Sequence, residues 1–180
     1  MLNIKRIARR LESSEGVEIA EAALVLPLVF MILLGIVWFG RAFNIYSTIT
    51  QAAQQGAITA ARASCATCGN NFPVAGIVDN VVSALMQSSS LDPAQIPANS
   101  NPPAPLSCVN PTTLASCTTT SHKITICQQV LLNSPASATQ PAQCGTIVSF
   151  QYPFQFYLPF TSLNMQKIIL SAQAQSRMEN

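Results

Sequence analysis

The chain has 180 residues, 49% of them hydrophobic and only 9% charged, with a net charge of +2. So few charges and a single histidine leave little for acid–base catalysis, which draws on His and carboxylates gathered in a pocket. The excess charge sits in the first residues rather than on a basic face, so a nucleic-acid partner is not expected.

Lys5, Arg6, Arg9 and Arg10, set against Glu12 and Glu15, form a basic leader that ends at Gly16. From Ala22 to Gly40 there is no Asp, Glu, Lys or Arg, and about 19 residues at 1.5 Å rise match a bilayer core of roughly 30 Å. A buried helix of a soluble protein would need a large core around it, and the rest of the chain is short and rich in Pro, Ser, Thr and Gln. The run therefore reads as a single membrane pass. Arg41 stands alone after it until Arg62, so the positive-inside bias puts the N-terminus in the cytoplasm and exports the remainder. An ordinary secretory signal cleaved near Ala52, Ala53, Ala60 and Ala61 is the rival reading. It is disfavoured because the run is long and its helical pattern continues through those residues.

Glu21 opens the apolar run, where a carboxylate is costly and usually has a purpose. It could complement the positive end of the helix dipole, as Glu18 could. Alternatively, hydrolysis after Gly16 would free an α-amine on Val17, with which Glu21 of a neighbouring subunit could pair to set register. Pro27 lacks an amide donor and should loosen the helix locally.

Past Arg41, the residues Ala42, Ile45, Ile49, Ala52 or Ala53, Gly56, Ala60 and Ala63 recur at helical spacing, so the helix should continue to about Ser64. Ala52, Gly56 and Ala60 make a small-residue face, for a neighbouring subunit or for the protein's own domain.

The stretch Gly16 … Glu21-Ala22-Ala23-Leu24-Val25-Leu26-Pro27, then Gly35, Gly40-Arg41, Ala52-Ala53-Gln54-Gln55-Gly56-Ala57 and Ala60-Ala61-Arg62 resembles the TadE-like minor pilins, or pseudopilins, of the tight-adherence Flp pilus system. Ala20 and Ala22 depart from the usual Val and Phe beside Glu21, and Ile58 stands where Arg is common. The ending Leu170 to Glu179 is similar to the terminal strand of such proteins, with the order Arg177-Met178 inverted. The resemblance covers the first 62 residues well and the cysteine-rich middle hardly at all. It implies processing by a prepilin peptidase between Gly16 and Val17, recognition of Glu21, and partnership with other pilin or pilus-assembly subunits. It also implies residence in the bacterial inner membrane or in the surface pilus.

Cys65, Cys68, Cys108, Cys117, Cys127 and Cys144 all follow the span, and an even count in an oxidising compartment reads as disulfides. Six cysteines allow fifteen connectivities; Cys65–Cys68 is the one pair expected locally. A redox reading of Cys65-Ala66-Thr67-Cys68 lacks the βαβ context it needs, and a zinc reading lacks a second such pair. Val74 to Gln87 predicts a short helix with Ile77, Val78, Val81, Val82, Leu85 and Met86 on one face. Pro93 to Pro111 predicts a loop. Beyond Ser121 the period becomes two, and three or four antiparallel strands are expected, around Ile124, over Thr146 to Phe150 and over Ile168 to Ser176. Tyr152, Phe154, Phe156, Tyr157 and Phe160, broken by Pro153 and Pro159, read as an aromatic edge strand or loop. His122 reads as a solvated turn residue.

The expected fold is α+β: residues 1–16 a leader, 17–64 a membrane helix prolonged outside, and 65–180 a small disulfide-stapled extracytoplasmic domain. The expected role is that of a pilus-assembly subunit. No enzyme chemistry, metal, cofactor or small-molecule substrate is expected. An uncleaved, membrane-anchored scaffold or adhesion protein is the alternative; a tethered thiol oxidoreductase using Cys65 and Cys68 is a third reading.

Overall fold

The computed structural model describes residues 14–62, 72–98, 104–133, 142–155 and 167–178. The fold is α+β. A long apolar helix, α1 (Ser14–Ala61), is followed by a second helix, α2 (Ala75–Ser88), and a short 3-10 turn at Pro93–Gln95. Among the described residues four antiparallel strands follow: β1 (Cys117–Thr119), β2 (Thr125–Leu131), β3 (Cys144–Phe154) and β4 (Ile168–Arg177), side by side in chain order.

The chain divides into two compact units, with the boundary inside α1 between Ala42 and Phe43. In the first, Ile19, Leu24, Leu26, Leu28, Met31 and Phe39 are all exposed. Among the described residues this is the one helix long and apolar enough to cross a membrane. Pro27 lies within it and does not end it.

The second unit is built on the last turns of α1. Ile49, Ala52, Ala53, Ala57 and Ala60 are fully buried in one core with Val78, Val82 and Met86 of α2 and with Ile126, Val148, Phe150, Ala172 and Ala174 of the sheet. Small side chains let a helix backbone come close to its neighbours. A methyl group placed on Gly56 would stand 2.6 Å from Val82 Cγ2 and 3.4 Å from Val148 Cγ1, so a hydrogen is what fits there.

On α2 the buried stripe is Val78, Asp79, Val82, Ser83 and Met86. It is turned from the expected face: Ile77 is half exposed, and two polar residues take its place inside.

The sheet buries both faces in places. Cys127, Val130, Ile147 and Ala115 form a second small cluster away from the helices. That explains why β2 does not alternate as expected: Thr125, Ile126 and Cys127 are all buried. The pairing of β2 with β3 shifts register between Cys127 and Val130, where Gln129 has a positive φ, a β-bulge.

Tyr152, Pro153 and Phe154 belong to β3, not to a separate aromatic edge strand. β2 pairs with β3 only as far as Ser149, so among the described strands the last residues of β3 pair with β4 alone. Pro153 pairs with Ile169 of β4, at an alternate position whose nitrogen points away from β4, and the missing N–H costs no ladder bond. Phe156, Tyr157 and Phe160 lie outside the described residues.

Among the described residues, two disulfides fix the region before and within the sheet. Cys117–Cys127 joins directly opposed residues of β1 and β2, with Cα atoms 4.0 Å apart. Cys108–Cys144 links the segment before β1 to the start of β3 across 36 residues. Cys65 and Cys68, the pair expected from the sequence, lie outside the described residues, as do Ala63 and Ser64.

Gly56→Ala gains helix propensity of roughly 0.5–1 kcal/mol but forces a methyl into Val82. We expect a net loss of about 1–2 kcal/mol by chemical denaturation, recovered in part by the double change Gly56→Ala with Val82→Ala. Equal or greater stability of Gly56→Ala would show that the approach is looser than described.

Candidate functional site

The most organised polar constellation in the head is centred on Asp79. A carboxylate on the buried stripe of α2, 3% exposed, needs partners, because an unpaired buried charge is strongly unfavourable. They come from the β1–β2 turn. Thr120 Oγ1 donates to Asp79 Oδ1 at 2.7 Å, Ser121 Oγ donates to Oδ2 at 2.9 Å, and His122 Nδ1 lies 2.8 Å from the same Oδ2.

The turn is shaped for this. Thr120 Oγ1 also accepts from Ile124 N–H at 3.1 Å, the Lys123 N–H donates to Thr120 O at 3.0 Å, and Lys123 takes a positive φ. Three consecutive side chains are thereby aimed at one carboxylate. Burial by itself would push the Asp79 carboxyl up; the hydrogen bonds from Thr120, His122 and Ser121, together with the charge of His122, outweigh it and hold the group below its ordinary 3.8.

Ser, His and Asp in contact invite comparison with a nucleophile–base–orienter relay, which needs the serine hydroxyl on the imidazole. Here Ser121 and His122 both bond Asp79 Oδ2, side by side, and the serine proton is committed to the carboxylate. The arrangement is a clasp that fastens the β1–β2 turn to α2. His122, expected as a solvated turn residue, is in a turn but only partly exposed and bonded to Asp79. The clasp was missed because its halves are 41 to 43 residues apart; the available signal was one acid in an otherwise apolar helical stripe.

A cleft of about 280 Å³ opens beside the Cys108–Cys144 disulfide, lined among others by Phe72, Val109, Gln129, Gln143 and Met178, with Arg177 as its charged residue.

The residues singled out in the sequence do not converge on one place. Gly16 and Val17 fall in the first turn of α1, and Glu21 is exposed on it. Ala52, Gly56 and Ala60 are buried in the head's own core, so of the two surfaces open to that face it is the protein's own sheet and second helix that occupy it. Cys108, Cys117, Cys127 and Cys144 are disulfide-bonded.

Residues 16–57 match the family model described as TadE-like protein. Over this segment the chain is similar to TadE-like proteins. The match runs from Gly16, through the long apolar run, to the small-residue turns that pack in the core of the second unit, and is consistent with a TadE-like protein of the tight-adherence (Tad) pilus system. Comparison with curated proteins and with solved structures gives no match.

Since Asp79 ionises more readily folded than unfolded, its contribution is fully present above the ordinary 3.8 and is lost as pH falls through the lowered value. Asp79→Ala should cost about 1–3 kcal/mol at pH 7. Thermal unfolding at neutral pH and near pH 3 should show the gap between wild type and variant narrowing in acid. A gap independent of pH would contradict the clasp.

Proposed function

We propose that the chain is a minor pilin or pilin-like assembly subunit of a tight-adherence, Flp-type pilus, made as a precursor and cleaved by a prepilin peptidase between Gly16 and Val17. The observation that carries this reading is the extent of the TadE-like match, which begins at Gly16 itself and includes Glu21 and the whole apolar run. In this reading the leader stays in the cytoplasm, α1 crosses the bacterial inner membrane once, and the disulfide-bonded head lies outside. One feature supports that orientation and another the position of the outer boundary. The basic residues precede the span, as the positive-inside rule requires. At its far end the Arg41 guanidinium lies over Trp38, 5.7 Å from the ring centre, a pairing suited to the membrane–water boundary.

The role is structural rather than catalytic. Glu21, exposed on α1, serves recognition by the peptidase and then pairs with the new amine of a neighbouring subunit's first residue, with other pilin or pilus-assembly subunits as partners. The small-residue face at Gly56 is taken up by the head, so contacts between subunits fall to the exposed apolar surface before Phe43.

N-terminal sequencing of the membrane form should give Val17 as the first residue in cells that contain the peptidase, and Glu21→Ala should abolish piliation that the wild-type gene restores. An intact Met1 with normal piliation would favour the uncleaved anchored scaffold instead, and a start near Ala53 or Ala61 an ordinary secretory signal.

A further inference from the structure

Among the described residues the two disulfides differ in what an outside thiol can reach. Cys108 and Cys144 are both half-buried. In the other bond Cys117 is exposed on β1, whereas Cys127, directly opposite on β2, is 1% exposed and packs with Ala115, Val130 and Ile147. An attacking sulfur approaches in line with the bond that it breaks, so access decides which sulfur is attacked and which one leaves. A bond running from a buried residue to an exposed one puts that path at Cys117, on the solvent side.

The two bonds differ also in what they hold. β1 keeps two further pairs with β2, Thr118 with Ile126 and Thr119 with Thr125. The turn that follows is fastened to Asp79 through Thr120, Ser121 and His122. Cys117–Cys127 joins residues 10 apart in the chain, and Cys108–Cys144 residues 36 apart. Loop-closure entropy rises with the logarithm of loop length, so opening the shorter bond should lower the folding equilibrium about sixfold less than opening the longer one. The Cys127 thiol left behind is a small, weakly polar side chain that an apolar cluster accepts.

We propose that Cys117 is a thiol-exchange site, at which an external dithiol opens Cys117–Cys127 in the folded head and leaves Cys108–Cys144 closed. One thiolate of the dithiol attacks Cys117 Sγ. A mixed disulfide forms, the Cys117–Cys127 bond breaks, and its electron pair goes to Cys127 Sγ, which takes up a proton. The second thiolate of the dithiol then attacks the sulfur of its own molecule, closes the reductant's disulfide and releases Cys117 Sγ, which is protonated in turn. The dithiol is oxidised by two electrons, the protein disulfide is reduced to two thiols, and the oxidised dithiol drives the same steps backwards. Opening frees β1 at one of its three pairs, so the bond governs how firmly the exposed residues 116–119 are held. This chemistry needs only the folded, disulfide-bonded head and is independent of the pilus reading.

The test treats the full chain in detergent micelles with dithiothreitol, without denaturant, and stops the reaction in acid at successive times. The samples are then unfolded, and their free thiols are labelled with N-ethylmaleimide and located by peptide mass mapping, which keeps Cys65 and Cys68 separate. Cys117 and Cys127 should become free together, at least about tenfold sooner than Cys108 and Cys144. Low denaturant should leave that rate unchanged, since attack at an exposed residue requires no unfolding. With excess glutathione, the mixed disulfide trapped in acid should be on Cys117 and not on Cys127. In the reduced protein, amide hydrogen exchange should rise over 116–119 and stay slow in β3. Cys108–Cys144 opening as early, glutathione on Cys127, or an opening that occurs only when β3 exchanges as well would each overturn the proposal.

Discussion

The head depends on how closely the end of α1 approaches α2 and β3. At Gly56 three elements meet, with Val82 from α2 and Val148 from β3 converging on a position that has no room for a side-chain carbon. Alanines at positions 52, 53, 57 and 60, all fully buried, extend that contact along the helix. Each alanine buries little apolar surface, so the gain comes from letting Val78, Val82, Met86, Val148 and Phe150 pack around a thin rod. A buried side chain of that size is worth about 1.5–3 kcal/mol. The same helix thus supplies the apolar span and, beyond Phe43, part of the folded core.

Other devices hold what this contact does not reach. The segment from 104 to 131 has few large buried residues before Ile124, and it is tied at three points. Cys108–Cys144 closes a long loop onto β3, a constraint worth roughly 3–4 kcal/mol through the unfolded chain. Cys117–Cys127 holds the short β1 to β2. The Asp79 clasp fastens the intervening turn to α2. A small domain with a modest core relies on such staples, and these are spaced along the part of the chain that needs them.

The sequence made some of this legible for physical reasons. The long apolar helix shows through composition, because nineteen residues from Ala22 to Gly40 carry no charge. α2, β3 and β4 show through period. Misses occurred where tertiary contacts overrode local pattern. β1 is three exposed residues, Cys117, Thr118 and Thr119, held by pairing and a disulfide and carrying no periodicity. Pro153 suggested an interruption, yet the strand continues because the pairing with β2 ends at Thr125 opposite Ser149, and the Pro153 nitrogen faces away from β4. The face of α2 was misjudged at Ile77, since burial of Asp79 turns on donors from a distant turn. Cysteine pairing could not be chosen from fifteen connectivities by spacing alone.

If the end of α1 is structurally part of the head, the boundary of the folding unit lies inside the helix and not after it. The direct measurement compares two fragments, one starting at Phe43 and one at Arg62, by denaturant unfolding and amide NMR dispersion. The longer fragment should unfold cooperatively with a dispersed spectrum, and the shorter one should be collapsed or unfolded even with its disulfides formed. A cooperatively folded fragment starting at Arg62 would contradict the account, because the sheet and α2 would then stand without the helix on which their core is built.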